Sequence, residues 1–143
     1  MAQMTEVTMI MMVTVLLVAE EAAAAVKCSR SCLVEQDIIS CRNFDHPADI
    51  RSCALRHPSA SVLDLSYISI QRPLARSSLH GLSNIVVLYL DGSRIRRLDA
   101  DALDGMDNLK LVFARRLKGS LRQLVDAVSA APSVRQVTHV IGN

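Results

Sequence analysis

The sequence predicts an α/β fold built as a stack of short units, with a parallel sheet along one face and irregular or helical turns along the other. Three observations predict it. Apolar residues recur at Ile85, Leu88, Leu90, Ile95, Leu98, Leu103 and Met106, with Ser93 among them, and Leu109 reopens the pattern after 24 residues. A period in this range marks repeated units that cannot bury their apolar side alone. Leu88 and Leu90 alternate with Tyr89 and Asp91, as in a strand with one face on a core. Half of the 143 residues are hydrophobic, yet there is no Trp and only two Tyr and two Phe, so that core has to be aliphatic.

The chain opens differently. Met9 to Ala19 is an uncharged apolar run of eleven residues. A helix needs about 20 apolar residues to span a bilayer, so this run is too short. Glu20 and Glu21 end it, and Ala22 to Ala25 offer the small residues of a cleavage site. Residues 1–25 are expected to be a secretory signal peptide, with Glu6 standing before the run where Lys or Arg is usual. No second long apolar run follows. The mature chain is therefore expected to lack a membrane span and to be secreted, or to lie on the extracellular side of the plasma membrane. Beyond residue 25 there are 16 basic residues, 13 of them Arg, against 11 acidic ones, a formal +5. That balance favours anionic partners only weakly, and no nucleic-acid partner is expected.

Residues 26–59 hold all four cysteines, Cys28, Cys32, Cys41 and Cys53. Behind a signal peptide they imply disulfides, and spacing alone leaves three pairings open. Their intervals of 4, 9 and 12 residues give no two close chelating pairs, so no metal site is expected. Repeats follow over 60–84, 85–108 and a degenerate 109–133, with a partial fourth over 134–143. Leu63 and Leu65 match Leu88 and Leu90 at an offset of 25, whereas Leu79, Leu82 and Ile85 match Leu103, Met106 and Leu109 at 24. The first unit is thus one residue longer in its middle. In the third, Val112 and Ala114 keep the strand, Gly119 takes the place of Ile95, and Leu121 and Leu124 are expected to resume the pattern. Val134 and Val137 match Leu109 and Val112 at 25.

This pattern is clearest in IVVLYLDGSRIRRLDADALDGMDN (85–108) and returns in VLDLSYISI (62–70). It resembles the extracellular leucine-rich repeat family over nearly all of the chain beyond residue 25. The resemblance implies a solenoid with a short parallel sheet on its concave face and irregular or helical turns on its convex face. It also implies a cysteine-bearing N-terminal cap. Cys28 and Cys32 fit the cap's first two cysteines and Cys41 its fourth, while Val34 stands at the third and Cys53 is extra. The family's pairing implies Cys32–Cys41, which leaves Cys28–Cys53. The family's usual Asn in the turn is replaced by Ile68, Ser93 and Leu117, of which only Ser93 is able to do part of its bonding, so looser turns are expected. By the same resemblance the partner is a protein ligand or receptor ectodomain.

No arrangement in the sequence supports catalysis, and no cofactor is implied. The four histidines pair with no Cys or carboxylate at metal spacing. Asp99, Asp101, Asp104 and Asp107 lack the Gly and closing Glu of a calcium loop and are read as solvated surface. What remains is the outward side of the strands. Corresponding slots give three columns: Val62, Val87 and Leu111; Asp64, Tyr89 and Phe113; Ser66, Asp91 and Arg115. Strands lie about 4.8 Å apart, so Tyr89 should neighbour Phe113, and Asp91 should neighbour Arg115. An exposed aromatic pair flanked by charges has the composition of a protein-binding patch, expected to comprise Asp64, Val87, Tyr89, Asp91, Leu111, Phe113 and Arg115.

A second candidate is basic. Arg72 and Arg97 fall at equivalent places after their strands, with Arg94, Arg96, Arg116 and Lys118 nearby. Such a rim suits a glycosaminoglycan or another acidic ligand, although Asp99, Asp101 and Asp104 follow closely and offset its field. At the far end no cysteine follows Cys53, and the sequence stops within the expected fourth strand. An uncapped end open to self-association is expected, as in a truncated fragment of a longer receptor.

Overall fold

The computed structural model describes residues 25–43, 45–119, 121–131 and, as backbone, 136–138. The expected signal peptide, save its last residue, lies outside the described residues, as does Val134. The fold is mixed α/β, with a sheet rich in parallel strands and few helices.

Three antiparallel strands come first: β1 (Val26–Lys27), β2 (Cys32–Glu35) and β3 (Ile38–Cys41). Next, α1 (Pro47–Arg56) opens on Pro47, whose fixed φ suits a first helical turn and whose missing N–H is needed by no intrahelical bond. Asp49 in its first turn and Arg56 in its last both favour the helix dipole. Ile50, Cys53 and Ala54, three and four apart, make its buried face. That face brings Cys53 to Cys28. Both pairs, Cys28–Cys53 and Cys32–Cys41, sit at disulfide distance, with Cα atoms 5.4 and 4.1 Å apart.

The rest of the chain runs β4 (Val62–Asp64), β5 (Ser69–Ile70), the one-turn α2 (Arg76–Leu79), β6 (Val87–Tyr89), β7 (Arg94–Ile95), β8 (Leu111–Phe113), β9 (Lys118–Gly119), α3 (Leu121–Ala130) and β10 (Gln136–Thr138). From β3 onward the main sheet is parallel, in the order β3-β4-β6-β8-β10. Its register sets Ile39, Leu63, Leu88, Val112 and Val137 side by side, at intervals of 24, 25, 24 and 25 residues. The period therefore begins inside the cysteine block, one unit earlier than the sequence pattern indicated. Ile39 and Cys41 hold the places of Leu63 and Leu65, and the cysteine hides the match.

A second parallel sheet, β5-β7-β9, aligns Ile70, Ile95 and Gly119. Gly119 sits at φ 105°, and a Cβ there would fall 2.7 Å from the Ile95 carbonyl oxygen, so backbone approach excludes a side chain. Ile70 pairs with Ile95 at an offset of 25, but Leu74 pairs with Leu98 at 24. The extra residue of the first unit thus lies within 71–73. Behind the strands the units differ: α2 in the first, turns over 100–105 in the second, and the ten-residue α3 in the third, which buries Leu124 and Ala127. Leu121 is only half-buried.

The aliphatic slots converge on one core. Ile85, Leu88, Leu90, Ser93, Ile95, Leu98, Leu103, Met106 and Leu109 are all 3% exposed or less. Each large aliphatic side chain buried there contributes about 1.5–3 kcal/mol. Leu88 is flanked on either side by Leu63 and Val112, which register holds in place, so a cavity at this position cannot close by collapse. Leu88→Ala should lower the free energy of unfolding in urea by about 2–5 kcal/mol. Leu55→Ala, at a helical position that is 76% exposed, should change it by less than about 0.5 kcal/mol.

Candidate functional site

Each three-residue strand turns its middle member inward and the other two outward. In register, Val62 lies beside Val87 and Val87 beside Leu111; Asp64 lies beside Tyr89 and Tyr89 beside Phe113. The Tyr89 and Phe113 rings stack, with centroids 4.8 Å apart and planes 12° from parallel. That separation is one strand spacing, so the stack follows from register and needs no backbone adjustment. The face is less open than the columns suggested. Val87, Tyr89, Leu111 and Phe113 are half-buried, since each ring or branched chain shields the next along the column.

Asp91 and Arg115 also meet, one step beyond the strands. The Arg115 backbone N–H donates to Asp91 Oδ1 at 2.8 Å, and its Nη2 and Nε donate to Oδ2 at 2.8 and 3.3 Å. Asp91, expected on the open face, is instead 8% exposed, because Arg115 closes over it. Arg115 itself keeps more than half of its side chain in water. The hydrogen bond that Arg115 donates to Asp91, and then the charge of Asp91, push Arg115 above the usual arginine value, so the guanidinium stays charged at any ordinary pH. Asp64 plays a different part. Its Oδ1 accepts the Ser66 N–H at 2.9 Å, holding the turn after β4.

These turns share a conformation. Tyr67, Gly92 and Arg116 occupy equivalent places and all adopt the left-handed region, with φ of 60°, 67° and 57°. Only one of the three is glycine. The Tyr67 ring lies over Gly92, where a Cβ would come within 2.5 Å of it. Tyr67 is 75% exposed and was not among the residues singled out by the sequence pattern. Aligning VLDLSYISI with the second unit at an offset of 25 sets Tyr67 against Gly92, the only sequence signal that pointed to it.

The basic rim is divided. Arg97 pairs with Asp99 at 3.1 Å, and Arg76 with Asp104 at 3.4 Å, so the aspartates do offset the field. Arg72, Arg94, Arg116 and Lys118 are exposed and enter no ion pair among the described residues. Arg94 and Lys118 are register neighbours on the second sheet, Arg96 lies next on that strand's exit, and Arg116 lies apart at the strand-end turn. Of the three residues in the turn slot, Ser93 bonds across the turns. Ser93 is fully buried and its Oγ donates to the Leu65 carbonyl. Two asparagines before the strands also bond back one unit: Asn84 to the Ala60 carbonyl at 2.8 Å, and Asn108 to the Ser83 carbonyl. Among the described residues no group of three or more His, Cys, Asp or Glu is placed to hold a metal ion, and no helix is long and apolar enough to cross a membrane.

In comparisons with known proteins the chain matches no family model, no curated protein and no solved structure.

The asymmetry of the Asp91–Arg115 pair gives an ordered expectation. Asp91→Ala removes a buried acceptor of three hydrogen bonds and should lower stability by about 1–3 kcal/mol. Arg115→Ala should have the smaller effect, because its backbone N–H still bonds Asp91 and the guanidinium it removes was already hydrated. Thermal or urea unfolding of both variants checks the order.

Proposed function

We propose that this chain is an extracellular leucine-rich repeat module that recognises a protein ligand or receptor ectodomain through its main sheet, without catalysis and without a cofactor. The observation that carries the reading is the Tyr89–Phe113 stack beside half-buried Val87 and Leu111, bordered by the Asp91–Arg115 pair. Aromatic side chains held rigid by a neighbour lose little entropy on binding, and they dominate the energetics of recognition surfaces. Val87, Tyr89, Leu111 and Phe113 supply the centre of the patch, while Asp64 and Arg115 border it and set register. The near-constant repeat interval and the two cysteine pairs support the family reading, and the apolar run before them supports secretion.

One observation favours a second reading. Arg94 and Lys118 stand side by side on the second sheet, where like charges repel and an anionic ligand would relieve them. A glycosaminoglycan or other acidic ligand held there would engage Arg72, Arg94 and Lys118 rather than the aromatic stack.

The purified chain should be assayed for saturable binding against an array of secreted and cell-surface ectodomains. A variant carrying Tyr89→Ser and Phe113→Ser, checked for native circular dichroism, should weaken a specific interaction about 30-fold or more, the equivalent of about 2 kcal/mol. That interaction should survive at about 0.5 M salt, where exposed charges are screened. Binding that ignores the aromatic variant and collapses with salt would favour the basic surface instead.

A further inference from the structure

We propose that the cavity where the main sheet's strands end, lined by Tyr67, Asp91, Arg115 and Arg116, is a socket for a carboxylate side chain of the protein partner. This inference rests on the protein-recognition reading and names what the partner must present.

The cavity is small, about 180 Å³, and its polar groups are unbalanced. Two guanidinium groups and a phenol face one carboxylate. That carboxylate is occupied, since both Asp91 oxygens accept from Arg115. A guanidinium carries five N–H donors, so Arg115 keeps donors to spare after bonding Asp91. Arg116 is exposed and enters no ion pair among the described residues. The socket thus offers donors in excess and a net positive charge. A carboxylate fits that chemistry, because planar guanidinium groups bind its two oxygens as a fork.

The backbone builds the opening. Tyr67, Gly92 and Arg116 stand at equivalent places on three successive units, all at positive φ. Glycine adopts that region freely, whereas a tyrosine and an arginine are strained there. Strained residues of this kind gather where a particular side-chain placement is used. Here the middle member lacks a side chain. Tyr67 leans over Gly92 and Arg116 stands on its far side, about 10 Å away at two strand spacings. A side chain at 92 would strike the Tyr67 ring. The missing side chain lets the Tyr67 ring lie there, and the cavity a ligand group would enter opens beside that ring, against Asp91, Arg115 and Arg116.

A protein source of the carboxylate is favoured by what adjoins the socket. The Tyr89–Phe113 stack and half-buried Val87 and Leu111 lie on the same face. A protein covers such apolar surface on binding, and a sulfated glycan does not.

The test uses the isotope-labelled chain, titrated with three probes: acetyl-Ala-Glu-Ala-amide, its Gln counterpart and a heparin hexasaccharide. The readout is NMR of the Arg115 and Arg116 Nε–H groups and the Tyr67 ring. Saturable shifts with the Glu peptide and not with the Gln peptide are expected. Arg116→Gly, which relaxes the positive-φ backbone and so cannot fail through strain, should weaken the response about tenfold. Tyr67→Phe, which keeps the ring and removes the hydroxyl, should weaken it less. Equal shifts with both peptides, or none with either, would overturn the socket. So would a preference for the hexasaccharide with shifts spreading to Arg94 and Lys118. If the socket fails while the Tyr89 and Phe113 variant still loses its ectodomain partner, recognition through the sheet stands without it; if neither responds, both readings fall.

Discussion

A strand of three residues cannot hold its own place. Each parallel strand here is about that short, and what holds it is hydrogen bonding in register to the same segment of the units before and after it. The bonds run on past the strands: the Leu65 N–H reaches the Tyr89 carbonyl, Tyr67 reaches Asp91, Leu90 reaches Phe113 and Gly92 reaches Arg115, all within 2.7–2.9 Å. A slip of one residue would turn every leucine of a strand out of the core and every outward residue into it. The register is therefore fixed by the same burial that stabilises the stack. Ser93, Asn84 and Asn108, each bonding back to a carbonyl 24 to 28 residues earlier, fasten it between strands.

The proposed recognition surface follows from that constraint. Tyr89 and Phe113 stack because their strands are adjacent and aligned, and Asp91 meets Arg115 for the same reason one step further on. The left-handed turns at Tyr67, Gly92 and Arg116 repeat because the chain has to leave each strand in the same direction. What differs between units is only the side chain carried at each slot. Recognition on such a surface would be written in columns, and the proposed socket is one place where neighbouring columns leave an opening, beside the Tyr67 ring that lies over Gly92.

Much of this was legible because periodicity and register are linked. The run from Ile85 to Leu109 marks the inward slots, so the outward columns and both neighbour pairs could be read by counting. The longer middle of the first unit was legible as a change of offset, and the structure narrows it to 71–73. Other features were hidden. The unit at Ile39 was masked because Cys41 takes the buried place that Leu65 holds one period on. Asp91 was read as an outward residue, and only three-dimensional closure by Arg115 buries it. Tyr67 was passed over because positive φ is not expected of tyrosine, and conformation in a turn leaves no periodic trace. Asn84 and Asn108 lie before the strand rather than in the turn where the resemblance to leucine-rich repeats led an asparagine to be sought, so their bonding was missed.

Register is the claim on which fold and site both depend, and scalar coupling across hydrogen bonds measures it directly. In the labelled chain, couplings should link the Leu65 amide nitrogen to the Tyr89 carbonyl carbon and the Leu90 amide nitrogen to the Phe113 carbonyl carbon. Couplings displaced by one residue, or to a different strand, would contradict the stacking, and with it the placement of Tyr89, Phe113, Asp91 and Arg115 on one face.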